Sequence, residues 1–308
     1  MPRRFPREAL ISDLAARAAA AAIIALVLVG PARAQGGAST TPAGDAKRGE
    51  YLAKAAGCLG CHTEEKKDAT PFAGGRALKT PFGTFYGPNI TPDRKAGIGN
   101  WTEANFEKAL RHGERPDGAN YFPAFPYPSF TQVSDADVRD LWAYLRSLPP
   151  SPRANRAHDL GFPYGYRFLV TPWKWLFFKS GPAAADPRLD AVRQRGRYLV
   201  TALGHCGECH TPRNFLGGTK ASRFLAGGKG PEGKNIPNLT PTRLKKWSDQ
   251  EIKDFLVNGM YSDGDVPAEA MAEVIRNTTS KLTPADLDAM VAYLRTVPEL
   301  PEEPKEKK

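Results

Sequence analysis

The chain of 308 residues contains only four cysteines, and all of them fall in two pentapeptides of the same pattern. The pentapeptides are Cys58-Leu-Gly-Cys61-His62 and Cys206-Gly-Glu-Cys209-His210. The CxxCH pattern is typical of covalent c-type haem attachment. On a helix, residues three and four apart share a face, so two sulfurs can bond the vinyl groups while the histidine turns toward the iron. The sequence therefore predicts two covalently bound haem c groups, with His62 and His210 as iron ligands.

Three other uses of these cysteines are open: two local disulfides, one zinc ion shared by four thiolates, or a thioredoxin-like redox pair. Each leaves unexplained why a histidine follows the second cysteine in both pentapeptides. A shared zinc ion also requires the two motifs to meet across nearly 150 residues of chain. The redox pair requires a βαβ context, which the pattern lacks. Haem attachment is therefore the favoured interpretation.

An internal repeat surrounds the two pentapeptides. The matching segments are Arg48-Gly-Glu-Tyr51-Leu52 with Arg195-Gly-Arg-Tyr198-Leu199, Phe72-Ala-Gly-Gly75 with Leu225-Ala-Gly-Gly228, Asn89-Ile-Thr-Pro92 with Asn238-Leu-Thr-Pro241, and Trp101-Thr-Glu with Trp247-Ser-Asp. The chain therefore contains two copies of one domain, which we place at residues 45–150 and 188–300.

Each copy closes with a helical pattern. Ser134 and Thr283 are N-cap candidates followed by acidic residues, and Pro149 and Pro298 stop the helices. Apolar residues recur at helical spacing in both segments, and we find no convincing strand alternation. The predicted fold class is all-α, with two tandem domains joined by an aromatic-rich linker at residues 151–187.

These features resemble the class I c-type cytochromes, in which an N-terminal and a C-terminal helix cross beside the haem. The resemblance implies helix-crossing contacts of Gly49 with Tyr144 and of Gly196 with Tyr293.

A narrower resemblance, carried by residues 80–93 and 97–101, is to the cytochrome c subunits of alcohol, aldehyde and gluconate dehydrogenases. It covers most of the chain after the N-terminal segment, although those subunits usually carry three haems. It implies electron transfer from a periplasmic dehydrogenase or other redox protein to a respiratory acceptor, with a dehydrogenase large subunit as a partner.

The sixth ligand of the second haem is predicted from the repeat. Counting on without a gap from the aligned Gly113 and Gly259 places Met271 opposite Phe125. We expect Met271 to bind the second iron, because thioether ligation is a common arrangement that raises the reduction potential. The alternative is that Met271 is a core residue and Met260 is the ligand, or that neither is.

Phe125 cannot bind iron, and the first domain contains no methionine. The resemblance implies a methionine at this position, so the first haem takes another ligand, holds water or is five-coordinate. His112 is the leading candidate because it ends the helix before the distal loop; the alternative is a histidine that caps helix carbonyls just before Gly113. His158, in the linker, is a second candidate.

Two further side chains are candidate donors to the first haem. His205 directly precedes the second motif and is expected to be a solvated residue or to lie on the propionate side of its own haem. Tyr121 is a minor option for the first haem.

The N-terminal segment has the pattern of an export signal. Arg3, Arg4 and Arg7 precede an apolar run at residues 18–30, and Ala32-Arg33-Ala34 fits a cleavage site. We predict a signal peptide at 1–34, a flexible start at 35–44, and a periplasmic location; an uncleaved membrane anchor is the alternative. Residues 301–308 are expected to form a disordered tail.

The linker is dense in aromatic residues and is interrupted by Pro163 and Pro172. We expect it to pack along the seam between the domains and to bury its rings there. The alternative is a surface for peripheral membrane contact or partner docking, since Trp and Tyr flanked by Lys favour such boundaries.

Charge limits the classes of partner. The formal net charge is +10, yet no stretch dense in Lys and Arg alternates with aromatic residues as nucleic-acid binding would require. We therefore predict no nucleic-acid partner.

Two functions remain. The favoured one is an electron carrier or electron-transfer subunit with no catalytic residue. The other is a dihaem redox enzyme, a peroxidase or sulfur-compound dehydrogenase, that uses an open haem in the first domain.

Overall fold

The computed structural model describes residues 43–182, 184–230, 234–261 and 266–302. The predicted signal peptide, nearly all of the predicted flexible start, and residues 303–308 of the predicted tail lie outside these ranges. The described chain is mostly helical, and within it no helix is long and apolar enough to cross a bilayer.

The first repeat begins and ends with its longest helices. Its helices are α1 (Ala46–Ala55), α2 (Cys58–His62), α3 (Glu103–Glu107), which continues as a π-helical turn (Lys108–His112), α4 (Tyr127–Phe130) and α5 (Asp135–Ser147). The Asp45 carboxylate accepts hydrogen bonds from the first backbone amides of α1, and the Ser134 hydroxyl accepts one from the Asp137 amide. These side chains satisfy helix N–H groups that have no partner within the helix, so the ends of α1 and α5 are set locally.

The connecting segment forms a short helix of its own, α6 (Val170–Phe177), after a 3₁₀ turn at Arg167–Leu169. Val170 is buried with Phe85 and Phe122 in a small apolar cluster of the first repeat. The indole N–H of Trp173 donates to the carbonyl of Leu216 in the second repeat at 3.0 Å. The segment therefore contacts both repeats.

The expectation that the linker buries its rings is wrong for several of them. Phe162, Phe168 and Trp175 are 87%, 69% and 80% exposed. Only part of the segment faces the protein, because α6 is short and a helix that lies on a surface turns half of its residues outward.

The second repeat follows the same order. Its helices are α7 (Ala191–Tyr198), which continues as a π-helical turn (Leu199–Leu203), α8 (Gly207–His210), α9 (Pro241–Leu244), α10 (Asp249–Asn258), α11 (Glu269–Asn277) and α12 (Pro284–Leu294); short 3₁₀ turns cover Ala221–Arg223 and Thr279–Lys281. The Thr283 hydroxyl caps α12 as Ser134 caps α5. The helix that contains Met271 is longer than its counterpart α4, which follows Phe125.

Short strands are present, contrary to the sequence prediction. Strands β1 (Ala77–Thr80) and β2 (Gly83–Tyr86) form an antiparallel hairpin, to which β3 (Asp159–Leu160) adds beside β2. In the described part of the second repeat, the strands are the two-residue pair β4 (Gly228–Lys229) and β5 (Asn235–Ile236). Strands of two to four residues are too short for alternation to be recognised.

The first and last helices of each repeat cross at a glycine, as the resemblance implied. A Cβ atom at Gly49 would lie 1.9 Å from the Asp140 carbonyl oxygen and 2.8 Å from the Tyr144 Cβ. At Gly196 the same atom would lie 1.8 Å from the Ala289 carbonyl oxygen and 2.8 Å from the Tyr293 Cβ. Only glycine permits this approach of the two backbones.

One apolar core runs through both repeats. Leu52 and Leu145 of the first repeat belong to the same cluster of buried side chains as Leu199 and Leu294 of the second. The partly buried Cys58 and Cys206 pack against it. The two CxxCH motifs are therefore both held against one continuous apolar core.

Candidate functional site

Each CxxCH motif forms a short helix that begins at a sharp backbone change. Helix α2 follows Gly57, which has a left-handed conformation with φ of 63°. Helix α8 follows Cys206, and the preceding His205 also has a positive φ of 38°. On both helices the two thiols and the histidine are three and four residues apart, so they lie on one face as covalent haem attachment requires.

The two motif histidines make the same contact. His62 Nδ1 lies 2.7 Å from the carbonyl oxygen of Pro88, and His210 Nδ1 lies 2.8 Å from that of Pro237. A carbonyl can only accept, so Nδ1 carries the proton and Nε2 is left with its lone pair. Such an outer partner fixes the tautomer and the orientation of a metal-binding histidine.

The prolines are placed by a buried turn that both repeats share. The Asn89 side-chain oxygen accepts from the amide and hydroxyl of Thr91, and Asn238 accepts in the same way from Thr240. The sequence repeat contained these asparagines but did not reveal the carbonyl contact. The signal was available, since a proline precedes the asparagine in both copies.

Gly87 lets the first turn approach the motif. A Cβ atom at this position would lie 1.7 Å from the Cys61 carbonyl oxygen. The amide of Gly74 donates to the His62 carbonyl at 2.7 Å, and that of Gly227 donates to the His210 carbonyl at 2.9 Å. In both repeats the end of the motif helix is thus bonded to the loop that follows it.

Burial keeps the motif side chains uncharged. It raises the pKa of Cys58 to about 12, of Cys61 to about 11 and of Cys206 to about 12. It lowers the pKa of His62 and of His210, although their bonds to the proline carbonyls act in the opposite direction. Neutral imidazole is the form that binds iron.

This donor set fits haem c better than the alternatives. Within the described ranges the four cysteines form no disulfide, and no three His, Cys, Asp or Glu side chains are arranged to share a metal ion. The thiols of each motif and a neutral, oriented histidine stand on one helical face. Two thioether bonds and one axial iron ligand per motif are what such a face can supply.

Each motif also contacts the opposite repeat. Ser129 of the first repeat donates to Glu208, inside the second motif, at 2.8 Å. A Cβ atom at Gly57, just before the first motif, would lie 4.0 Å from His205 Nε2, just before the second. The two attachment helices therefore begin beside one another.

An ion pair also joins the two repeats near the first motif. Arg76 of the first repeat binds Glu273 on α11 at 2.7 Å, with both side chains at most one-fifth exposed. A Cβ atom at Gly60, within the first motif, would lie 3.3 Å from the same carboxylate of Glu273.

The methionines differ in environment. Met271 lies in the first turn of α11, is half-buried and packs against the main core. Met260 is 56% exposed, and Met290 is buried in α12. Met271 is thus enclosed by the core to a larger extent than Met260.

Phe125 is half-buried in an aromatic cluster. Its ring centroid lies 5.7 Å from Tyr121, 6.5 Å from Tyr127 and 5.8 Å from Phe130. Burial raises the pKa of Tyr121, so its hydroxyl stays protonated, a poor state for an iron ligand.

His112 and His158 each engage one ring nitrogen. His112 Nδ1 lies 3.0 Å from the Ser180 hydroxyl, and the His112 carbonyl accepts from Lys174 at 2.8 Å. His158 Nδ1 accepts from the Tyr86 amide at 3.1 Å, and its ring packs on Phe85. His112 keeps the lone pair of Nε2 for iron when its Nδ1 donates to the Ser180 hydroxyl. In His158 the acceptor role of Nδ1 leaves the proton on Nε2, so this tautomer has no nitrogen lone pair for iron.

His205 is not the solvated residue that the sequence suggested. It is half-buried, and its ring meets Phe130 edge-on at 5.4 Å. Burial lowers its pKa. The residue sits between the repeats because the second motif starts at their interface.

The fold and the two motif helices define a protein with two haem-attachment domains. The family model for cytochrome c matches residues 46–149 and 194–298, so the chain belongs to the cytochrome c family. Each matched range contains one CxxCH motif.

Curated relatives agree with this assignment. The chain is 47% identical over 260 residues to a protein named diheme cytochrome c-type from Cereibacter sphaeroides, which covers 83% of this chain and 86% of the relative. It is 38% identical to the cytochrome c subunit of alcohol dehydrogenase (quinone) from Gluconobacter oxydans, over 98% of this chain and 64% of that subunit. It is 42% identical to the fructose dehydrogenase cytochrome subunit from Gluconobacter japonicus, over 82% of this chain and 52% of that subunit. The chain thus spans only part of the dehydrogenase subunits.

Proposed function

We propose that the chain is a dihaem electron-transfer protein that carries electrons from a periplasmic dehydrogenase to a respiratory acceptor. Relatives that share up to 42% identity are named as cytochrome subunits of alcohol and fructose dehydrogenases. The relative with 47% identity is named a diheme cytochrome. These names support the role, and the two CxxCH motifs supply the matching number of attachment sites.

The observation that carries the proposal is the contact of each motif with the opposite repeat. Gly57 and His205, which precede the two motifs, lie side by side, and Ser129 binds Glu208 within the second motif. Short separation between redox centres is what a protein that relays electrons internally needs. A protein that used its haems independently would have no reason to bring the attachment helices together.

The residues of the two motifs have two roles, attachment of the haem and ligation of its iron. Cys58 and Cys61 would hold the first haem and Cys206 and Cys209 the second, with His62 and His210 as proximal ligands. Each haem, when bound, supplies one reversible step between ferric and ferrous iron. Pro88 and Pro237 hold the histidine rings in the orientation and tautomer that ligation requires.

The distal ligands set the two sites apart. Met271 would complete the second site, where a thioether raises the reduction potential. In the first site Phe125 brings no donor, and His112 stays the candidate because its Nε2 is not used by Ser180. The first site is therefore expected to have a lower potential than the second, which orders electron flow within the chain.

The enzyme alternative is not favoured. The relatives reported above are named as a diheme cytochrome or as cytochrome subunits. The cluster around Phe125 consists of aromatic rings, and burial raises the pKa of its tyrosines Tyr121 and Tyr127, so their hydroxyls stay protonated and are poor bases. A periplasmic location follows from the proposed export signal at residues 1–34 and from haem c attachment.

Haem content and electron count test the proposal together. The purified, exported protein is expected to bind two haems and to take up two electrons in a spectroelectrochemical titration. A Cys206→Ala, Cys209→Ala variant is expected to bind one haem and to take up one electron. Membranes from the source organism, supplied in turn with alcohol, fructose and gluconate, should reduce the wild-type haems with at least one of these substrates.

Two results would contradict it. The first is a wild-type protein that binds fewer than two haems when produced with the haem-attachment machinery. The second is a fully loaded protein that dehydrogenase-containing membranes do not reduce with any substrate, although they reduce a soluble dye with the same substrate.

A further inference from the structure

An exposed aromatic surface lies outside the haem-attachment motifs. It is formed by the connecting segment and by the loop at residues 213–219 of the second repeat. Its most exposed members are Phe162, Tyr166, Phe168, Trp175, Leu176 and Phe215, which are between 51% and 91% exposed. We call this set the aromatic surface. Large apolar side chains grouped in this way on a soluble protein mark an interaction site.

The aromatic surface is one continuous feature. The Trp173 indole donates to the Leu216 carbonyl at 3.0 Å, which joins α6 to the loop that carries Phe215. A Cβ atom at Gly217 would lie 3.4 Å from the Phe82 ring, and Phe82 packs on Tyr164 at 4.7 Å. The hairpin, the connecting segment and the loop therefore support one another, and the exposed rings stand on ordered backbone.

Cations outnumber carboxylates around these rings. Residues 77–86, 160–180 and 212–219 contain five cations and no carboxylate. The cations are Lys79, Arg167, Lys174, Lys179 and Arg213. Two of them are paired with residues outside these segments, Lys174 with Glu114 at 3.7 Å and Arg213 with Glu208 at 2.7 Å. Asp159, opposite Thr84 in the strand register, lies next to the hairpin turn and adds one carboxylate, so the five cations outnumber these three acids and the surface keeps a net positive charge.

We propose that the aromatic surface binds the headgroup region of an anionic lipid bilayer. Trp and Tyr favour the boundary between headgroups and acyl chains, and the long stems of Lys and Arg reach back to the phosphates. A uniformly anionic lipid surface complements a protein surface on which cations outnumber carboxylates. Phe162, Trp175 and Phe215 are each at least 80% exposed, so each ring can insert between lipid headgroups.

Binding in this way would orient the second attachment site. Phe215 follows the motif by five residues, and Arg213 in the same loop binds Glu208 inside the motif at 2.7 Å. Insertion of Phe215 therefore brings α8 close to the lipid surface. Electron exchange with a membrane-bound acceptor would then take place at the second haem.

The test is co-sedimentation of the exported holoprotein with vesicles, read by haem absorbance in the pellet. The vesicles are phosphatidylcholine alone and phosphatidylcholine mixed with phosphatidylglycerol. Wild type is expected to bind the anionic vesicles, less so at raised salt. A Trp175→Ser, Phe215→Ser variant is expected to bind them at least about tenfold more weakly. All variants share one N-terminus, so a difference between them reports on the aromatic surface.

The matched control is Val192→Ser, Val257→Ser, which removes exposed apolar side chains elsewhere and should bind as wild type does. Haem spectra that match the wild type show that the Trp175→Ser, Phe215→Ser variant is folded. Its unchanged reduction by dehydrogenase-containing membranes keeps this test separate from the test of the proposed function. Absence of wild-type binding to anionic vesicles overturns the proposal, as does equal binding by that variant. Binding only to native membranes, lost when these are treated with protease, overturns it too and assigns the surface to a protein partner.

Discussion

The Tyr51 hydroxyl on the first helix of the first repeat donates a 2.5 Å hydrogen bond to Asp286 on the last helix of the second repeat. The relation is reciprocal, because Tyr198 on the first helix of the second repeat donates to Asp137 of the first at 2.5 Å. Tyr51 and Tyr198 occupy matching positions in the sequence repeat. The two copies thus face each other about an approximate twofold axis, each bonded to the other by the same pair of residues.

Removal of either hydroxyl should weaken the interface between the repeats. Tyr51→Phe leaves Asp286 with Arg195 but deletes a hydrogen bond to a charged acceptor that is 12% exposed. We expect a loss of about 1.5 kcal/mol in the free energy of unfolding for this change and a similar loss for Tyr198→Phe. Denaturant unfolding of the holoprotein measures both. Tyr164→Phe, at an exposed position, is the control and should change little; an equal loss in the control would contradict the interpretation.

Asp286 should make stability depend on pH in the acid range. Burial raises its pKa, but the hydrogen bonds from Arg195 and Tyr51 and the charge of Arg195 outweigh this, so the pKa lies below its usual value. A depressed carboxylate stabilises the fold fully above its unfolded pKa, about 3.9, and the contribution is lost as pH falls through the folded value. Below about pH 4, the unfolding midpoint of the wild type should therefore decrease more steeply with falling pH than that of Asp286→Asn. Asp288→Asn, at an exposed position on the same helix, should keep the wild-type slope.

Met271→Leu should abolish the far-red absorption band of methionine-bound ferric haem. Leucine preserves volume and apolar packing but has no sulfur, so the second haem loses its ligand while its attachment stays intact. The second haem should also show a lower reduction potential. Met260→Leu is the matched control and should leave both properties unchanged, because Met260 is more than half exposed. Loss of the band in the control instead would assign ligation to Met260.

Phe125→Met should create a second methionine-ligated site. The position aligns with Met271, and the surrounding rings of Tyr121 and Phe130 leave the side chain half-buried. The far-red band is expected to increase roughly twofold, and the potential of the first haem should rise. His112→Ala, made separately, should convert the first haem to high spin if His112 is its ligand. An unchanged spectrum in that variant would remove His112 from consideration.

The sequence repeat predicted the parts of the fold that depend on local pattern. The CxxCH helices and the capping of α5 and α12 were identifiable from residue type and spacing. The helix crossings at Gly49 and Gly196 were implied by the resemblance to class I c-type cytochromes. The hairpin was not, because its strands are only four residues long. The reciprocal bonds of Tyr51 and Tyr198 were not identifiable either, since an internal repeat states that two domains are alike but not how they pack.

The same limit applies to the site. The residues that attach haem follow from the motif, whereas the carbonyl partners at Pro88 and Pro237 emerge only when the chain is folded. The exposure of Phe162 and Trp175 was also beyond the sequence, because aromatic density fits a buried seam and an external surface equally well. Whether a ring is buried or exposed depends on which side of the connecting segment packs against the core, and the sequence does not show this.

Gly49→Ala and Gly196→Ala should each force crossed helices apart. The new methyl group would lie within 2 Å of a carbonyl oxygen on the facing helix, Asp140 or Ala289. Such overpacking costs about 1–3 kcal/mol or more, and the helix propensity of alanine returns only about 1 kcal/mol of this. Lower unfolding midpoints and reduced haem incorporation are expected in both variants. Gly165→Ala, where no atom lies within 4 Å of the added group, serves as control and should match wild type. Wild-type stability in Gly49→Ala would mean that the helices do not cross at this residue, and the assignment of the cytochrome c helix pair in the first repeat would have to be withdrawn.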